Sequence, residues 1–321
     1  MNSIIIIDPT WHVLLNDLEH LEIITQHDNV TLYKSLWRKF QPVCVKRIQV
    51  TPQNFKYVQR EFDILKICVH PCVYQFYGAC EEITSNSIEY VYFVFEYMEN
   101  GNLMEYVQRR TLSYTSMHDI VTSIAVGMHY LCSRKPVSIV HRDFKPENIL
   151  INKHHQVKIA DFGISKQMLN YDTLASSPSS KKLTPITDIN KLTHSNIGTV
   201  RWIAPEILCD AASHTHLSDI YSLGLLIHFV FSGGKVPYMH EYKNNGAQIA
   251  YAKSQNKRPF LKDILYVPTE FELQIRELIM SCTEREQSMR PKHPEIIINT
   301  LINFRTHLSQ SDDSLYPGRE N

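Results

Sequence analysis

Residues 141–148 read HRDFKPEN and are followed by the apolar residues ILI at 149–151. A carboxylate at Asp143, an ammonium at Lys145 and an amide at Asn148 therefore stand within one short segment. Six fixed identities at about 5% each, over about 300 possible start points, give a chance expectation of about one in 10⁵. This combination of residues is therefore not a coincidence, and the other motifs of the chain can be considered together with it.

Further motifs accompany this segment in order along the chain. They are VCVK at 43–46, DFG at 161–163, GTVRWIAPE at 198–206, DIYSLG at 219–224 and an Arg-Pro pair at 290–291. Glu61 follows Lys46 at a distance of fifteen residues and lies in an apolar pattern with helical spacing. An isolated DFG or VCVK is common in turns and strands, so the information lies in the ordered set.

Together these motifs resemble those of eukaryotic protein kinases of the serine/threonine type, and their style is closest to the tyrosine-kinase-like group. The resemblance covers residues 21–308. It implies an α+β, bilobal protein-kinase fold, with a small antiparallel-sheet N-lobe that carries one main helix and a larger, mainly helical C-lobe. It also implies an enzyme that uses ATP and Mg²⁺ to phosphorylate protein substrates.

The resemblance assigns roles to the charged residues. Asp143 would accept or orient the proton of the attacking hydroxyl. Lys46 would hold the α- and β-phosphates, with Glu61 as its ion-pair partner. Asp161 would be the main Mg²⁺ ligand and Asn148 the second, since hard cations bind oxygen donors.

The substrate-side motifs imply serine or threonine as the acceptor. Lys145 in the catalytic loop and Thr199 in the Gly-Thr pair resemble serine/threonine kinases, while the RW-I-APE string leaves dual or tyrosine specificity open. Ser195 matches the usual phosphorylation position of the family, and a phosphate there would order the surrounding loop. Glu206 would form an ion pair with Arg290.

The same residues argue for phosphoryl transfer without the family resemblance. That reaction depends on positioning and on neutralising phosphate charge, which requires a lysine, metal-binding oxygens and a carboxylate near the attacking hydroxyl. Lys46, Asn148, Asp161 and Asp143 supply these three kinds of group.

The adenine ring would lie against the linker EYMENGN at 96–102. By resemblance, the Glu96 carbonyl and the Met98 backbone bind the base, and Phe95 closes the inner end of the pocket. Asn102 is a candidate for the ribose. The ring itself would be sandwiched by three apolar or weakly polar side chains, Leu32, Cys44 and Leu150.

The phosphate-covering loop departs from the family pattern because it contains no glycine. The first glycine in the chain is Gly78, and Thr25, His27 and Val30 stand where three glycines are expected. Left-handed dihedrals would cost such residues about 1 to 2 kcal/mol each, and side chains would obstruct the approach of backbone amides to phosphate. We expect weakened ATP binding.

Two alternatives to an active kinase follow from this loop. One is a pseudokinase that keeps the fold as a nucleotide-binding or protein-interaction scaffold. The other is a regulatory domain in which His27 or a neighbouring group replaces glycine and holds a nucleotide as a structural ligand. The active enzyme is favoured because the chain retains Lys46, Glu61, Asp143, Asn148 and Asp161.

We predict an N-terminal extension at 1–20, a kinase N-lobe at 21–98, a C-lobe at 99–308 that contains the activation segment 161–206, and a polar tail at 309–321. The pattern predicts strands in LEIITQ, TLYKSLW, PVCVKRIQV, VYQFYGAC and YVYFVFEY, and one helix between Pro52 and Val69. Residues 4–21 are compatible with a strand and a short helix.

Composition excludes several classes of protein. The chain has 321 residues with 33 basic and 33 acidic side chains, so no overall positive charge recruits nucleic acid. Its apolar runs fall short of the roughly 20 residues of a membrane span, and no secretory signal is visible. Seven cysteines without a CxxC pair indicate reduced thiols. We expect a cytoplasmic protein, with the nucleus and the oligomeric state left open.

Overall fold

The computed structural model describes residues 7–84, 87–169, 197–210, 213–259, 261, 264 and 269–308. The chain divides into two compact units. The first unit comprises Met1–Tyr106 and Arg134–Ala175, and the second comprises Val107–Ser133 and Ser176–Asn321. The domain boundaries given above stay predictions.

A five-stranded antiparallel sheet dominates the first unit. Its strands are β1 (Leu18–His27), β2 (Val30–Trp37), β3 (Gln41–Gln49), β4 (Phe76–Thr84) and β5 (Ser87–Glu96), in the spatial order β1-β2-β3-β5-β4. Side chains of a strand alternate between the two faces. Val43, Val45 and Val94 share one buried cluster, so Lys46 and Phe93, which pair in register, lie on the opposite face.

Helix α1 (Phe55–Leu65) packs on that opposite face. The Phe62 ring contacts the rings of Phe76 and Phe93, with centroids 6.0 and 6.3 Å apart. The buried positions of α1 include Val58, Glu61, Phe62 and Leu65, which recur at helical spacing. Glu61 is therefore carried on the apolar stripe that faces the sheet.

Two short strand pairs complete the first unit. Strand β6 (Val137–Val140) pairs with β9 (Lys166–Leu169), and β7 (Ile149–Ile151) pairs with β8 (Val157–Ile159). The segment 141–148 therefore runs between β6 and β7, and the DFG residues run between β8 and β9. This arrangement brings the two loops to the same end of the β7–β8 pair.

The second unit is mainly helical. Along the chain, helix α2 (Leu103–Gln108) begins in the first unit and ends in the second. The helices that follow are α3 (Tyr114–Ser133), α4 (Ile197–Val200), α5 (Pro205–Cys209), α6 (His216–Phe231), α7 (Met239–Tyr242), α8 (Gly246–Ser254), α9 (Thr269–Cys282) and α10 (Pro294–Leu308). Helix α6 is buried along most of its length. Its N-cap residue is Thr215, whose side chain forms a capping box with Ser218. In the part of the chain that the structure describes, no helix combines the length and apolar character needed to cross a bilayer.

The predicted α+β fold, with an antiparallel sheet that carries one main helix and a mainly helical second unit, is confirmed. The described part of the stretch before β1 contains two 3₁₀ turns, Pro9–Trp11 and Leu15–Asp17. The strand expected within residues 4–21 falls partly on residues 4–6, which lie outside the described residues, and residues 18–21 belong to β1. Asp8 caps the first turn by accepting a hydrogen bond from the Thr10 amide at 3.0 Å. The chain is then fixed to β4, because the Val13 amide donates to the Ala79 carbonyl at 2.9 Å.

The first glycine of the chain is required by this N-terminal stretch. Gly78 has a φ of 150°, and a Cβ atom there would lie 2.4 Å from the carbonyl oxygen of Trp11. A side chain at position 78 would therefore push the N-terminal stretch off the sheet.

Candidate active site

Lys46 forms the centre of a charged cluster on the α1 side of the sheet. Its ammonium lies 2.6 Å from Glu61 Oε1 and 3.5 Å from Asp161 Oδ1. The side chains of Lys46 and Glu61 are 17% and 6% exposed, whereas that of Asp161 is 50% exposed. The predicted pairing of Lys46 with Glu61 is therefore present in the structure, and Asp161 offers its carboxylate both to the lysine and to solvent.

Within this cluster Lys46 and Asp161 keep their ionised forms, whereas burial raises the pKa of the Glu61 carboxyl. Burial alone would lower the pKa of Lys46, but the Glu61 and Asp161 carboxylates together outweigh it, and the net effect is a raised pKa. The Lys46 ammonium holds the pKa of the Asp161 carboxyl below its ordinary value, against the opposing effect of burial. A cationic lysine and an anionic aspartate at neutral pH suit the binding of a phosphate and of a metal ion.

Lys145 and Asn148 both contact the Asp143 carboxylate. Lys145 Nζ donates to Asp143 Oδ2 at 2.6 Å, and Asn148 Nδ2 donates to the same oxygen at 2.7 Å. Asn148 Nδ2 also donates to the Asp143 carbonyl at 2.9 Å. These three side chains, whose roles the resemblance to protein kinases predicts, therefore form one hydrogen-bonded group with Asp143 at its centre.

His141 positions this group, a role that the sequence analysis did not assign. Its ring is fully buried and packs against Phe144 and Phe162. The Asp143 amide donates to Nδ1 at 3.3 Å, so the ring proton belongs on Nε2, which donates to the Ala160 carbonyl at 2.9 Å. Burial lowers the pKa of His141, which keeps the ring neutral. The motif contained the signal, because His141 is its first residue.

Asn148 and Asp161 could hold a magnesium ion. The Ala160 amide donates to the Asn148 carbonyl at 2.8 Å, so the two predicted ligands flank one end of the β7–β8 pair. Because Asn148 turns its amide nitrogen toward Asp143, its Oδ1 atom is the one that can bind a cation. Carboxylate and amide oxygens are donors that Mg²⁺ accepts, so these residues fit the ion. The ligand assignment stays a prediction.

The linker at 96–102 is anchored to the β7 strand. The Ile151 amide donates to the Gly101 carbonyl at 2.9 Å, and Asn102 forms an isolated antiparallel β-bridge with Leu150. Asn102 Oδ1 accepts a hydrogen bond from the Glu105 amide at 3.0 Å, an N-cap contact of helix α2. The ribose role suggested for Asn102 stays a prediction beside this structural role.

The Glu96 carbonyl, predicted to bind adenine, already accepts a hydrogen bond. Tyr74 donates its hydroxyl to that carbonyl at 2.8 Å, and its ring stacks on Phe95 with centroids 4.7 Å apart. Burial raises the pKa of Tyr74, so the hydroxyl keeps its proton. No sequence motif contains Tyr74, and only the folded chain brings it to the linker.

The remaining adenine candidates lie on the face of the sheet that carries Lys46 or beside the linker. Leu32 pairs in register with Lys46, and Cys44 pairs with Phe95. Leu32, Cys44 and Leu150 are partly buried, while Phe95 and Met98 are buried. The roles predicted for these residues are compatible with their places and stay predictions.

The glycine-free loop is a tight hairpin. His27 pairs with Val30, so only two residues form the turn between β1 and β2. Asp28, in that turn, has a φ of 42°, whereas Thr25, His27 and Val30 do not have positive φ angles. The prediction of strained, left-handed backbone at those three positions is therefore wrong. The two-residue turn places the left-handed conformation on Asp28, a residue type that tolerates it.

In the second unit, Arg290 forms the predicted pair with Glu206. Its two terminal nitrogens donate to the two carboxylate oxygens, each at 2.7 Å, and its side chain is 0% exposed. The Arg290 guanidinium also donates to the carbonyls of Leu217 and Glu284. Thr199 is partly buried in helix α4, and its substrate role stays a prediction. Ser195 lies outside the described residues.

Lys253 is a buried residue that the sequence analysis missed. Its ammonium donates to the carbonyls of Val200, Arg201 and Ile203 at 3.0, 2.6 and 2.6 Å. Burial lowers the pKa of Lys253. It is buried on helix α8 beside Ala252, three and four residues after the buried Ile249, so the helical pattern could have revealed it.

Comparisons with known proteins agree with this geometry. The sequence profile of the protein kinase domain matches residues 30–302. Tyrosine-protein kinase FRK of Homo sapiens is 27% identical over 305 residues, which cover 94% of this chain and 54% of that protein. Probable serine/threonine-protein kinase kinX of Dictyostelium discoideum is 26% identical over 313 residues, which cover 95% of this chain and 25% of that protein.

Serine/threonine-protein kinase TNNI3K of Mus musculus is 29% identical over 238 residues, which cover 72% of this chain and 25% of that protein. The chain thus spans about half or less of the length of these relatives. Their names include both tyrosine and serine/threonine kinases. Because the profile match extends over most of the chain, this protein belongs to the protein kinase domain family.

Proposed function

We propose that this chain transfers the γ-phosphate of MgATP to serine or threonine hydroxyls of protein substrates. The observation that carries the proposal is the contact of the Lys46 ammonium with both Glu61 and Asp161. That contact brings a phosphate-binding cation next to a metal-binding carboxylate. Phosphoryl transfer by protein kinases uses such a lysine, with its glutamate partner, beside a metal-binding aspartate.

In this mechanism the residues position the nucleotide and the acceptor hydroxyl, and they neutralise phosphate charge. Lys46, held by Glu61, would bind the α- and β-phosphates, and Asp161 and Asn148 would hold magnesium. Bound Mg²⁺ would neutralise charge that develops on the phosphates. Asp143 orients the substrate hydroxyl and accepts its proton. Lys145 places a second positive charge 2.6 Å from Asp143, beside the group that is transferred.

The choice of serine and threonine over tyrosine rests on two residues. Lys145 and Thr199 match the pattern of serine/threonine kinases, and two of the relatives above are named as such. Lys145 is fixed on Asp143, so it would lie beside an acceptor hydroxyl that is positioned by the same carboxylate. Dual specificity is the runner-up, and one Dictyostelium discoideum relative is named a dual specificity protein kinase.

Calorimetric titration with ATP and Mg²⁺ tests the nucleotide site. We expect Lys46→Met to weaken binding at least about tenfold, because the ammonium that contacts the phosphates is lost; a tenfold change corresponds to about 1.4 kcal/mol. Lys56→Met is the matched control, since Lys56 is exposed in the first turn of α1. Equal affinity of the two variants would contradict the assignment of Lys46.

The contact of Tyr74 with the linker favours a second candidate function, a kinase-fold module that binds other proteins without turnover. Its hydroxyl takes one of the two lone pairs of the carbonyl that would accept the adenine amino group, and its ring packs against Phe95. In the same titration, Tyr74→Phe frees that carbonyl and keeps the ring. If Tyr74→Phe binds MgATP more tightly than wild type does, the result supports an enzyme restrained by Tyr74. If wild type and Tyr74→Phe are both folded and neither binds MgATP, the result supports the protein-binding module.

A further inference from the structure

The end of helix α3 meets the start of helix α10 in the second unit. At their far ends, His118 Nε2 lies 2.8 Å from the Leu301 carbonyl, and Arg305 pairs with Asp119 at 3.0 Å. The residues near the start of α3 thus contact those near the end of α10, so the two helices run antiparallel. The last turn of α3 accordingly lies beside His293 and the first turn of α10.

Three metal-binding side chains converge at this junction. One atom each from His129, His293 and Glu295, a ring nitrogen or a carboxylate oxygen, lie within 4.8 Å of one another. His129 comes from the last turns of α3, His293 immediately precedes α10, and Glu295 lies in its first turn. Both histidines are partly buried and Glu295 is exposed, so the glutamate is able to move onto an ion.

The surroundings of the two rings suit metal ligation. The Ser133 hydroxyl lies 3.4 Å from His129 Nδ1 and 3.3 Å from His293 Nε2, so it bridges one nitrogen of each ring. Histidines that bind metals are commonly oriented by such a contact to the second ring nitrogen. The other nitrogen of His293, Nδ1, is buried and has no hydrogen-bond partner among the described residues.

We propose that His129, His293 and Glu295 form a site for a divalent transition-metal ion, specifically Zn²⁺. Two imidazoles and one carboxylate are a donor set that zinc accepts, whereas Mg²⁺ requires mainly oxygen donors. With zinc–ligand bonds of about 2.0 to 2.2 Å, tetrahedral ligands stand about 3.4 Å apart, so atoms that now lie within 4.8 Å of one another must close by up to about 1.4 Å. The thiol of Cys132, 3.4 Å from His293 Nε2, adds a soft neighbour. The fourth position on zinc would hold water.

This site is independent of the proposed phosphoryl transfer, since its ligands all lie in the second unit and the transfer residues lie in the first. An ion bound there would join the two helices at one end. It would therefore stabilise the folded chain by an amount that grows with the logarithm of its free concentration above the Kd. We expect zinc at a hundredfold excess over its Kd to raise the thermal unfolding midpoint by about 5 °C.

The test is calorimetric titration of the metal-stripped full chain with zinc chloride, together with thermal unfolding with and without zinc. We expect one zinc ion per chain in wild type, and at least a tenfold weaker affinity with loss of the thermal shift in His129→Ala and in Glu295→Gln. The exposed Glu295 makes its variant the safer one for folding. His154→Ala, an exposed histidine of the first unit, is the matched control and keeps wild-type binding.

Circular dichroism without zinc checks that each variant is folded. Loss of binding in the two ligand variants, with retention in the control, supports the site. Absence of stoichiometric zinc binding in wild type overturns the proposal, and so does binding that His129→Ala and Glu295→Gln leave unchanged. Magnesium chloride serves as a comparison ion, and competition by Mg²⁺ at equal concentration would also overturn it.

Discussion

Asp143→Asn is expected to slow phosphoryl transfer by about 10² to 10⁴-fold, the contribution of a positioned general base. The amide is nearly the same size as the carboxylate and still accepts hydrogen bonds from Lys145 and Asn148 through its oxygen. It cannot accept the proton of the substrate hydroxyl. MgATP binding is expected to change little, because Lys46, Glu61 and Asp161 are untouched.

The matched control for this variant is Glu147→Gln. Glu147 is exposed in the same loop, four residues after Asp143. It loses one negative charge without touching the hydrogen-bonded group, so its rate of transfer should equal that of wild type. A rate for Asp143→Asn that equals the rate of Glu147→Gln would remove Asp143 from the mechanism.

Arg290→Met is expected to lower the free energy of unfolding by about 3 to 5 kcal/mol. The substitution removes a fully buried guanidinium that neutralises Glu206 and donates to backbone carbonyls. The Glu206 carboxylate, which is 11% exposed in the wild-type structure, loses its ion-pair partner. A buried charge left without a partner is the costly part of breaking a buried pair. Urea unfolding followed by circular dichroism measures the change.

Two comparisons make this stability prediction specific. Arg305→Met removes an arginine that is 61% exposed and pairs with Asp119 on the surface, and should cost less than about 1 kcal/mol. The double variant Arg290→Met, Glu206→Met has no unpaired buried charge and should recover part of the loss. A loss for Arg290→Met no larger than for Arg305→Met would show that the buried pair is unimportant for stability.

Much of the site was predictable because its residues lie in short motifs that resemble those of protein kinases. Asp143, Lys145 and Asn148 occupy one short loop, and the resemblance predicts their roles. It also predicts that Lys46 pairs with Glu61, and the helical spacing around Glu61 agrees with that choice. In the fold, the alternation of β3 and the helical repeat of α1 direct the two side chains toward the same space between α1 and the sheet.

The residues that escaped prediction act through contacts between distant segments. Tyr74 reaches the Glu96 carbonyl across 22 residues of sequence, and no local pattern marks a tyrosine for that contact. Lys253 finds its three carbonyl partners about 50 residues away. The prediction for the glycine-free loop failed for another reason. It expected left-handed backbone at the three positions aligned with glycines, whereas the hairpin turn has its left-handed residue at Asp28. Hydrogen-bond partners of buried polar groups depend on the whole fold.

The most direct measurement of the central claim is transfer of label from γ-labelled ATP to a peptide library containing serine, threonine and tyrosine, with and without Mg²⁺. The account predicts Mg²⁺-dependent label on serine and threonine, catalysed by the wild-type chain. Label that appears mainly on tyrosine would contradict the proposed specificity. Wild-type incorporation no greater than that of Asp143→Asn would contradict the claim that Lys46, Asp143 and Asp161 act together on a triphosphate.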